Sequence, residues 1–311
     1  MESPKLVTVI IPCYKDSLTL ARAIESVILQ TYSPIEIIVV NDCSPETELI
    51  EACLTRYPDV RYLRNSINVG LAKTRNNGIA MANGEIIALL DADDEYHQDK
   101  IALQIEALED NTVVTSGLVN IYPDGHQERS IKSPRLIARA SELLYRNNLN
   151  GAGLLAPKDL ILKYGGYDAT MRSCEDFDLW LRLLSSGIKV KDIGLPLYLY
   201  YFNPAGLSKN IISISKWELQ AIQLHATRMG AEWRSSWSYA SVILVWLLRH
   251  LWRSELARNE TLRLNTIENS HLLDDFPLVP ALCRTIGHYR CLLIPSLIVR
   301  WRNRFSFSLF K

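Results

Sequence analysis

Short apolar runs alternate with amphipathic segments along the first hundred residues of the chain. The runs are rich in β-branched residues, as in LVTVII and IEIIVV, and predict strands that are buried on both faces of a sheet. They cover residues 6–11, 35–40, 60–63 and 85–90. The segments between them have the apolar spacing of helices and cover residues 18–30, 46–57 and 70–82. This alternation predicts βαβ units and a largely parallel sheet, and therefore an α/β fold.

Beyond residue 99 the alternation becomes less regular. The pattern predicts further helices over 100–108 and 175–185 and strands over 112–119, 188–193 and 197–202. A polar stretch over 122–134 contains a Pro-Asp-Gly turn signal. From residue 212 the strand signals end, and long helical patterns rich in Trp, Leu and Arg follow. The sequence therefore predicts two parts, residues 1–211 and residues 212–311.

Charge is balanced over the whole chain but not within these two parts. The 311 residues include 34 basic and 34 acidic residues, a balance that argues against general nucleic-acid binding. Residues 1–211 contain 21 basic and 27 acidic residues, whereas residues 212–311 contain 13 and seven. An acidic first part and a basic second part indicate that the two parts have different tasks.

The cysteines and the apolar runs bear on the location of the protein. The six cysteines form no Cys-x-x-Cys pair, so neither a zinc site nor a disulfide framework is predicted. The first residues lead directly into a strand-like run and lack the pattern of a secretory signal. The longest apolar stretches, 240–248 and 291–299, are well short of the roughly 20 residues that a membrane span needs. These features predict a cytoplasmic protein with reduced thiols.

Three polar clusters directly follow predicted strands. They are Pro12-Cys13-Tyr14, Asn41–Ser44 and Asp91–Asp94. Ligands of open α/β sheets bind beyond the carboxyl ends of the strands, and parallel strands bring those ends to one edge. We therefore expect the three clusters to lie together at a ligand-binding edge.

The third cluster, Asp-Ala-Asp-Asp, points to a divalent cation. Three carboxylates within four residues repel one another unless a cation or hydrogen-bond donors compensate. Oxygen ligands of this kind suit Mn²⁺ or Mg²⁺ that is shared with substrate phosphates. The alternative is a solvated turn in which Asp94 caps the following helix.

Two predicted helix starts allow more than one interpretation. Glu175 and Asp176 open the helix over 175–185, where acidic residues favour the helix dipole but where a carboxylate can also act as a general base. The segment Asn68–Asn76 places Arg75 near another helix start, which suits a phosphate group or an ordinary surface helix. The local pattern does not decide between these alternatives.

Taken together, the motifs resemble those of the family-2 glycosyltransferases, which are inverting enzymes of the GT-A fold. The matching segments follow the family's order over residues 6–208 and are VTVIIPCYKD, IEIIVVNDCS, NVGLAKTRNNGIAMANGEIIALLDADD, GGYD and SCEDFDLWLRLLSSG. The resemblance implies that residues 1–211 form a Rossmann-like nucleotide-sugar-binding domain with a mixed, mostly parallel sheet. It does not extend to the helical region over 212–311.

The resemblance also implies roles for individual residues. The nucleotide of the donor would be bound by Pro12, Tyr14, Asp42, Arg75 and Asp91, with Asp42 accepting from a uracil-type N–H. The metal ion, Mn²⁺ or Mg²⁺, would be held by Asp91 and Asp93. Asp176 would be the catalytic base, and supporting or acceptor-side positions would be filled by Glu175, Asp94 and Trp180. The implied partners are a UDP-sugar donor and a glycan or lipid-linked acceptor.

One feature departs from the family's pattern. After the strand over 197–202, many relatives carry an Arg and a His in a loop that closes over the diphosphate. Here Tyr201 and Asn203 occupy those places, and Lys209 is the nearest cation in the sequence. The resemblance therefore leaves open how the leaving group is covered.

The second part contains two segments that combine Trp and Arg, over 246–253 and 291–311. Basic and aromatic residues at helical spacing are typical of a helix that lies on a membrane surface. The alternatives are a helical subdomain packed on the first part and an oligomer interface. The sequence predicts peripheral contact with the inner face of a membrane through residues 240–311.

Three other functions fit the sequence less well. A sugar-phosphate nucleotidyltransferase normally needs a glycine-rich phosphate loop after the first strand, where this chain has PCYKD. A dehydrogenase would carry Gly-x-Gly-x-x-Gly at that place. A noncatalytic nucleotide-sugar-binding protein would not need intact Asp91, Asp93 and Asp176. The favoured interpretation is a metal-dependent, inverting glycosyltransferase.

Overall fold

A computed structural model of the protein describes residues 3–204, 206, 210–234, 236–256, 261 and 269. Within these residues the chain forms ten strands and ten helices. The strands are β1 (Val7–Cys13), β2 (Ile35–Asn41), β3 (Arg61–Arg64), β4 (Ile86–Leu89), β5 (Glu95–Tyr96), β6 (Thr112–Ile121), β7 (Gln127–Arg129), β8 (Arg135–Ile137), β9 (Leu155–Pro157) and β10 (Lys189–Tyr201). The helices are α1 (Leu20–Ile28), α2 (Thr47–Leu54), α3 (Leu71–Met81), α4 (Lys100–Glu106), α5 (Ser141–Leu144), α6 (Lys158–Lys163), α7 (Glu175–Ser185), α8 (Ile211–Met229), α9 (Ala231–Arg234) and α10 (Trp237–Leu256).

The strands form one mixed sheet in the order β3-β2-β1-β4-β9-β6-β10-β5. β3, β2, β1 and β4 are mutually parallel, and β6 is parallel to β10. β9 is antiparallel to both of its neighbours, and the short strands β5, β7 and β8 pair antiparallel at the margins. The α/β fold with a mixed sheet that the sequence predicts is confirmed.

The core lies against the parallel half of the sheet, where β1 is buried along its whole length. α1 buries its apolar face, which includes Leu20, Ile24 and Val27. The predicted face of α7 is also buried and consists of Phe177, Trp180, Leu181 and Leu184. Burial on both faces explains why the strands of this half read as continuous apolar runs.

Two boundaries differ from the sequence prediction, and the short elements β5, β7, β8, β9, α5 and α6 have no counterpart in it. β1 continues through Pro12 to Cys13, so Pro12 lies within the strand, opposite Val40, rather than after it. The two strands predicted over 188–193 and 197–202 are one strand, β10, whose register shifts between Asp192 and Pro196. Gly194 adopts a φ of 71° at this irregularity, a conformation that favours glycine. Gly194 and Pro196 therefore lie at a bulge inside a continuous strand.

The chain divides into two compact units. The first comprises Met1–Glu142 and Asn148–Gly206, and the second comprises Leu143–Asn147 and Leu207–Lys311. The predicted boundary at 211/212 lies a few residues further along, and no sequence pattern indicates that Leu143–Asn147 belongs with the second unit.

The interior of the second unit contains a buried group of charged side chains. Glu218 on α8 accepts from Arg249 Nη2 at 2.5 Å and lies 2.9 Å from His250 Nε2, both on α10. Arg249 also donates to the carbonyl oxygen of Tyr145 at 2.8 Å. Trp246, Arg249 and His250 are all buried.

This arrangement corrects part of the membrane-surface prediction. Within the segment over 246–253, Trp246 and Arg249 face the interior of the second unit and not an exposed helix surface. The other predicted segment, 291–311, lies outside the described residues. Among the described helices, none is both long and apolar enough to cross a membrane.

Candidate functional site

The carboxyl ends of three parallel strands meet at one edge of the sheet, because β1 pairs with both β2 and β4. The segments that follow these strands carry Tyr14, Asp42 and Asp91. The side chain of Tyr14 is exposed there, whereas Pro12 is buried within β1. The structure thus brings the three predicted clusters to a common edge.

Asp42 lies at the centre of a local hydrogen-bond network. Its Oδ1 accepts from the backbone N–H of Val69 at 2.8 Å and from Asn65 Nδ2 at 2.9 Å. Its Oδ2 accepts from the backbone N–H of Gly70 at 2.9 Å. A carboxylate has about four acceptor positions, and three of those of Asp42 are filled by the loop before α3, which this carboxylate holds in place.

Arg75 is a buried connector rather than a surface cation. Only 3% of its side chain is exposed, Nη1 donates to Glu175 Oε1 at 2.6 Å, and Nη2 donates to Asp91 Oδ1 at 2.9 Å. Burial alone would lower the pKa of Arg75, but the charges of Asp91 and Glu175 outweigh it and raise that pKa. This corrects the surface-helix alternative for the start of α3, and it leaves both Nη atoms engaged by carboxylates.

The aspartate turn, defined here as Asp91–Asp94, follows β4. The backbone N–H of Asp94 donates to the carbonyl oxygen of Asp91 at 3.1 Å and closes the turn. Burial and the charge of Asp91 raise the pKa of Asp93, while the charge of Arg22 opposes this shift. Burial and the charges of Asp93 and Asp91 also raise the pKa of nearby Asp16 to about 6. Negative charge is therefore concentrated at this edge.

Asp94 has a different environment from the other two aspartates. Its side chain is buried, and Oδ1 accepts from the backbone N–H of Tyr201 at 2.8 Å. Burial, together with the charges of Asp93 and Asp91, raises the pKa of Asp94 to about 8. The N-terminal cap position of α4 is filled by Asp99. The interpretation of the cluster as a solvated turn in which Asp94 caps the helix is therefore wrong.

The donor set of the turn fits a hard divalent cation that a substrate would help to bind. Asp91 is part-exposed and presents a carboxylate beside that of Asp93. Across the described ranges no group of three or more acidic, His or Cys side chains forms a complete metal cage. Mg²⁺ and Mn²⁺ are commonly held by one or two carboxylates plus substrate phosphates, which is the arrangement that Asp91 and Asp93 offer.

Glu175 and Asp176 open α7 after Cys174, which adopts a left-handed φ of 57°. Glu175 is buried and forms an ion pair with Arg75. Its role is therefore not limited to that of a solvated charge that interacts with the helix dipole. Asp176 Oδ1 accepts from the backbone N–H of Phe177 at 2.7 Å. Burial and the charge of Glu175 raise the pKa of Asp176 to about 6, although Arg75 opposes the shift. A carboxylate with this pKa is mostly ionised at neutral pH and can accept a proton.

The loop before β9 passes directly against Asp176. A methyl group on Gly151 would lie 2.0 Å from Asp176 Oδ2, so only glycine leaves room for the carboxylate. Trp180, one turn further along α7, is fully buried. Its burial suits the supporting role rather than direct contact with an acceptor, and the role of Trp180 stays a prediction.

Sequence reasoning missed a second guanidinium at the site. Arg22 on α1 donates from Nη2 to the carbonyl oxygen of Asp93 at 2.5 Å, and its Nε lies 2.9 Å from Glu95 Oε1. Its guanidinium lies 3.6 Å from the centroid of the Tyr201 ring. Tyr201 donates its hydroxyl to Glu95 at 2.5 Å, and the side chain of Asn203 hydrogen-bonds to Asp93. Arg22 is 71 positions from Asp93, so no local motif could have indicated the contact.

Lys209, the cation that the sequence placed nearest to Tyr201, lies outside the described residues.

The first unit contains a stretch that is similar to proteins of a known family. The model of "Glycosyl transferase family 2" matches residues 8–162. An "Uncharacterized glycosyltransferase" of Rickettsia felis is 33% identical over 190 residues, which are 58% of this chain and 31% of that protein. The chain thus spans about a third of the length of this relative.

Two further proteins resemble a larger share of the chain. The E. coli protein named UDP-Glc:alpha-D-GlcNAc-diphosphoundecaprenol beta-1,3-glucosyltransferase WfaP is 29% identical over 210 residues, covering 66% of this chain and 81% of that protein. The crystal structure of S. aureus TarS 1-349 in complex with UDP-GlcNAc has a TM-score of 0.63 at 16% identity, covering 89% of this chain and 83% of that one. At this identity the structural likeness concerns the fold.

Proposed function

Because this chain belongs to glycosyltransferase family 2, we propose that it transfers a sugar from a nucleotide-diphosphate donor to a hydroxyl group of an acceptor. One observation carries the proposal. Arg75 binds Asp91 of the aspartate turn and Glu175 beside Asp176, and so it fixes a donor-side carboxylate and a potential base within one site. A single displacement needs one base on the acceptor side and inverts the configuration of the sugar.

The donor is a UDP-sugar in this proposal. Two similar proteins support this choice, since the name of WfaP contains UDP-Glc and TarS was crystallised with UDP-GlcNAc. Tyr14 is exposed at the edge, and the fourth acceptor position of Asp42 is the one that a uracil N–H would fill. Pro12, which is buried within β1, would line the base pocket from the end of that strand.

Asp91 and Asp93 are the residues that would hold Mn²⁺ or Mg²⁺. When bound, such an ion offsets the negative charge that develops on a departing nucleotide diphosphate. Asp94 stays buried and fixes the turn through the backbone of Tyr201. The carboxylates of Asp91 and Asp93 thereby keep their orientation, while the carboxylate of Asp94 is hydrogen-bonded within the protein.

Asp176 is the proposed general base. Its raised pKa suits proton removal near neutral pH, and the closely packed backbone at Gly151 confines its carboxylate. The acceptor hydroxyl would lose its proton to Asp176 as it attacks the anomeric carbon from the face opposite the nucleotide. We further propose a glycan or lipid-linked acceptor in polysaccharide biosynthesis, and the diphosphoundecaprenol in the name of the E. coli relative WfaP supports a lipid-linked one. The proposed location is the cytoplasmic face of the membrane.

A nucleotide-release assay tests this function. UDP-, GDP- and dTDP-sugars are incubated with the full chain, with and without Mn²⁺, beside D93A and D176N. We expect release from one donor to require metal and to fall about 10²–10⁴-fold in D176N, while D176N still binds the nucleotide. D159N is the matched control, since Asp159 is an exposed carboxylate in the first turn of α6.

Two outcomes would contradict the proposal. Nucleotide binding without release from any donor, even with glycan acceptors present, would favour a noncatalytic binding protein. Release of pyrophosphate from a nucleoside triphosphate and a sugar phosphate would favour a nucleotidyltransferase. If D176N lost nucleotide affinity to the same extent as nucleotide release, only the assignment of Asp176 as the base would be refuted.

A further inference from the structure

We propose that Arg22 binds the diphosphate of the nucleotide donor beside Asp93. The inference rests on the proposed function and assigns the charge to a residue of α1. Tyr201 at the end of β10 and Asn203 just after it lie at the same place, and neither side chain is a cation. Arg22 comes from α1, at the opposite end of the first unit's sequence.

Three contacts fix the guanidinium of Arg22 at the aspartate turn. Its Nη2 donates to the carbonyl oxygen of Asp93 at 2.5 Å, and its Nε lies 2.9 Å from the Glu95 carboxylate. The planar group stacks on the Tyr201 ring, with 3.6 Å between Cζ and the ring centroid. A guanidinium held on one edge and on one face loses little further freedom when it binds an anion.

The remaining edge of the Arg22 guanidinium carries Nη1. No described residue accepts a hydrogen bond from Nη1, and 36% of the side chain is exposed. Arg75, the other guanidinium at the site, is 3% exposed and has both Nη atoms on carboxylates. Of these two arginines, Arg22 is therefore the one with donors available to a phosphate oxygen.

The charges around Arg22 explain why a diphosphate needs it. Asp16, Asp91 and Asp93 place several carboxylates at this edge, and they would repel an anionic ligand. Glu95 is already paired with Arg22 and with the Tyr201 hydroxyl. The ring of Tyr201 thus acts as a platform for the guanidinium of Arg22, which comes from α1. This supplies a positive charge at a place where Tyr201 itself has none.

Isothermal titration of UDP and UMP in the presence of Mn²⁺ tests the inference. In R22Q we expect the dissociation constant for UDP to rise about tenfold while that for UMP stays within twofold, because only UDP carries the second phosphate. Y201L, which removes the platform but not the charge, should show a smaller loss that is again confined to UDP. R22K should retain part of the affinity for UDP, because it keeps a positive charge.

R61Q is the matched control. Arg61 also pairs with a carboxylate, Glu36 at 2.6 Å, and is 35% exposed, but it starts β3 at the opposite edge of the sheet. The R61Q variant should therefore bind UDP and UMP with the affinities of the wild type. Thermal melting confirms that each variant is folded, and Y201L keeps the inference testable if R22Q is not.

The failures are distinguishable. The proposed function would be refuted if the wild type bound no nucleotide of the three pairs tested, which are UDP and UMP, GDP and GMP, and dTDP and dTMP. A wild type that prefers the diphosphate, with R22Q and Y201L showing the same preference, would refute the Arg22 assignment only. Loss of the preference in K15Q instead of R22Q would assign the charge to Lys15, the exposed cation after β1, and would also refute it.

Discussion

Asp93 and Asp94 are neighbours in the chain, and yet their carboxyl groups have different surroundings. Asp93 lies beside Asp91 and Arg22, whereas Asp94 is buried and bound to the backbone of Tyr201. The sequence marks all three aspartates of the turn as alike. Only the position of the end of β10 separates the carboxylates that are available to a cation from the one that holds the turn together.

At the residue scale, the pKa of Asp176 predicts a pH dependence. Burial and Glu175 raise this pKa to about 6, so the base becomes protonated as the pH falls through that value. We expect kcat to be constant above about pH 7 and to fall roughly tenfold per pH unit below pH 6. The measurement is kcat against pH at saturating donor, and nucleotide affinity over the same range is the control. A profile that stays flat down to pH 4.5 would contradict the prediction.

Helices α3 and α7 are connected through the aspartate turn by one side chain. Arg75 extends from α3 to Asp91 after β4 and to Glu175 on α7, across 100 positions of sequence in the second case. The helical spacing of each segment was readable from the sequence. The connection was not, because an arginine near a helix start resembles any surface cation.

At the element scale, this connection predicts a large effect on stability. R75M leaves Glu175 buried without its counter-charge, and such losses cost about 3–5 kcal/mol. Urea unfolding should show this decrease, and the double variant R75M/E175M should recover part of it because both charges are then removed.

R64M is the matched control for this measurement. Arg64 Nη1 lies 3.8 Å from Glu51 Oε1, the two side chains are 53% and 45% exposed, and exposed pairs contribute about 0–1 kcal/mol. If R75M and R64M lowered the free energy of unfolding equally, Arg75 would not be the connector that its contacts indicate.

At the scale of the whole molecule, acidic and basic residues are divided between the two parts of the chain. The first unit carries the acidic edge with Asp16, Asp91 and Asp93. In the second unit, Arg249 and His250 are engaged inside by Glu218. The segment over 291–311 contains Arg300, Arg302 and Arg304 but no acidic residue, and its charge remains the basis for predicting membrane contact.

This charge predicts salt-dependent binding to anionic vesicles. At low salt the full chain should pellet with phosphatidylserine vesicles and be released at 1 M salt, where the Debye length is about 3 Å. Each Arg near such a surface contributes about 1 kcal/mol, so R300Q/R302Q/R304Q should bind about 100-fold more weakly. Neutral phosphatidylcholine vesicles are the control. Equal pelleting with both vesicle types would contradict an electrostatic contact.

The sequence by itself determined the α/β class, the strands and helices of the parallel half of the sheet and the acidic clusters after the strands, because these depend on local periodicity and on short motifs. The prediction of two strands over 188–193 and 197–202 is wrong, because β10 is one strand that contains a bulge at Gly194. Only the tertiary structure decided which carboxylate Arg75 and Arg22 would meet and why position 151 must be glycine. These features depend on side chains that are far apart in sequence and are brought together by packing. Burial and neighbouring charge then set their chemistry, and neither can be read from residue type alone.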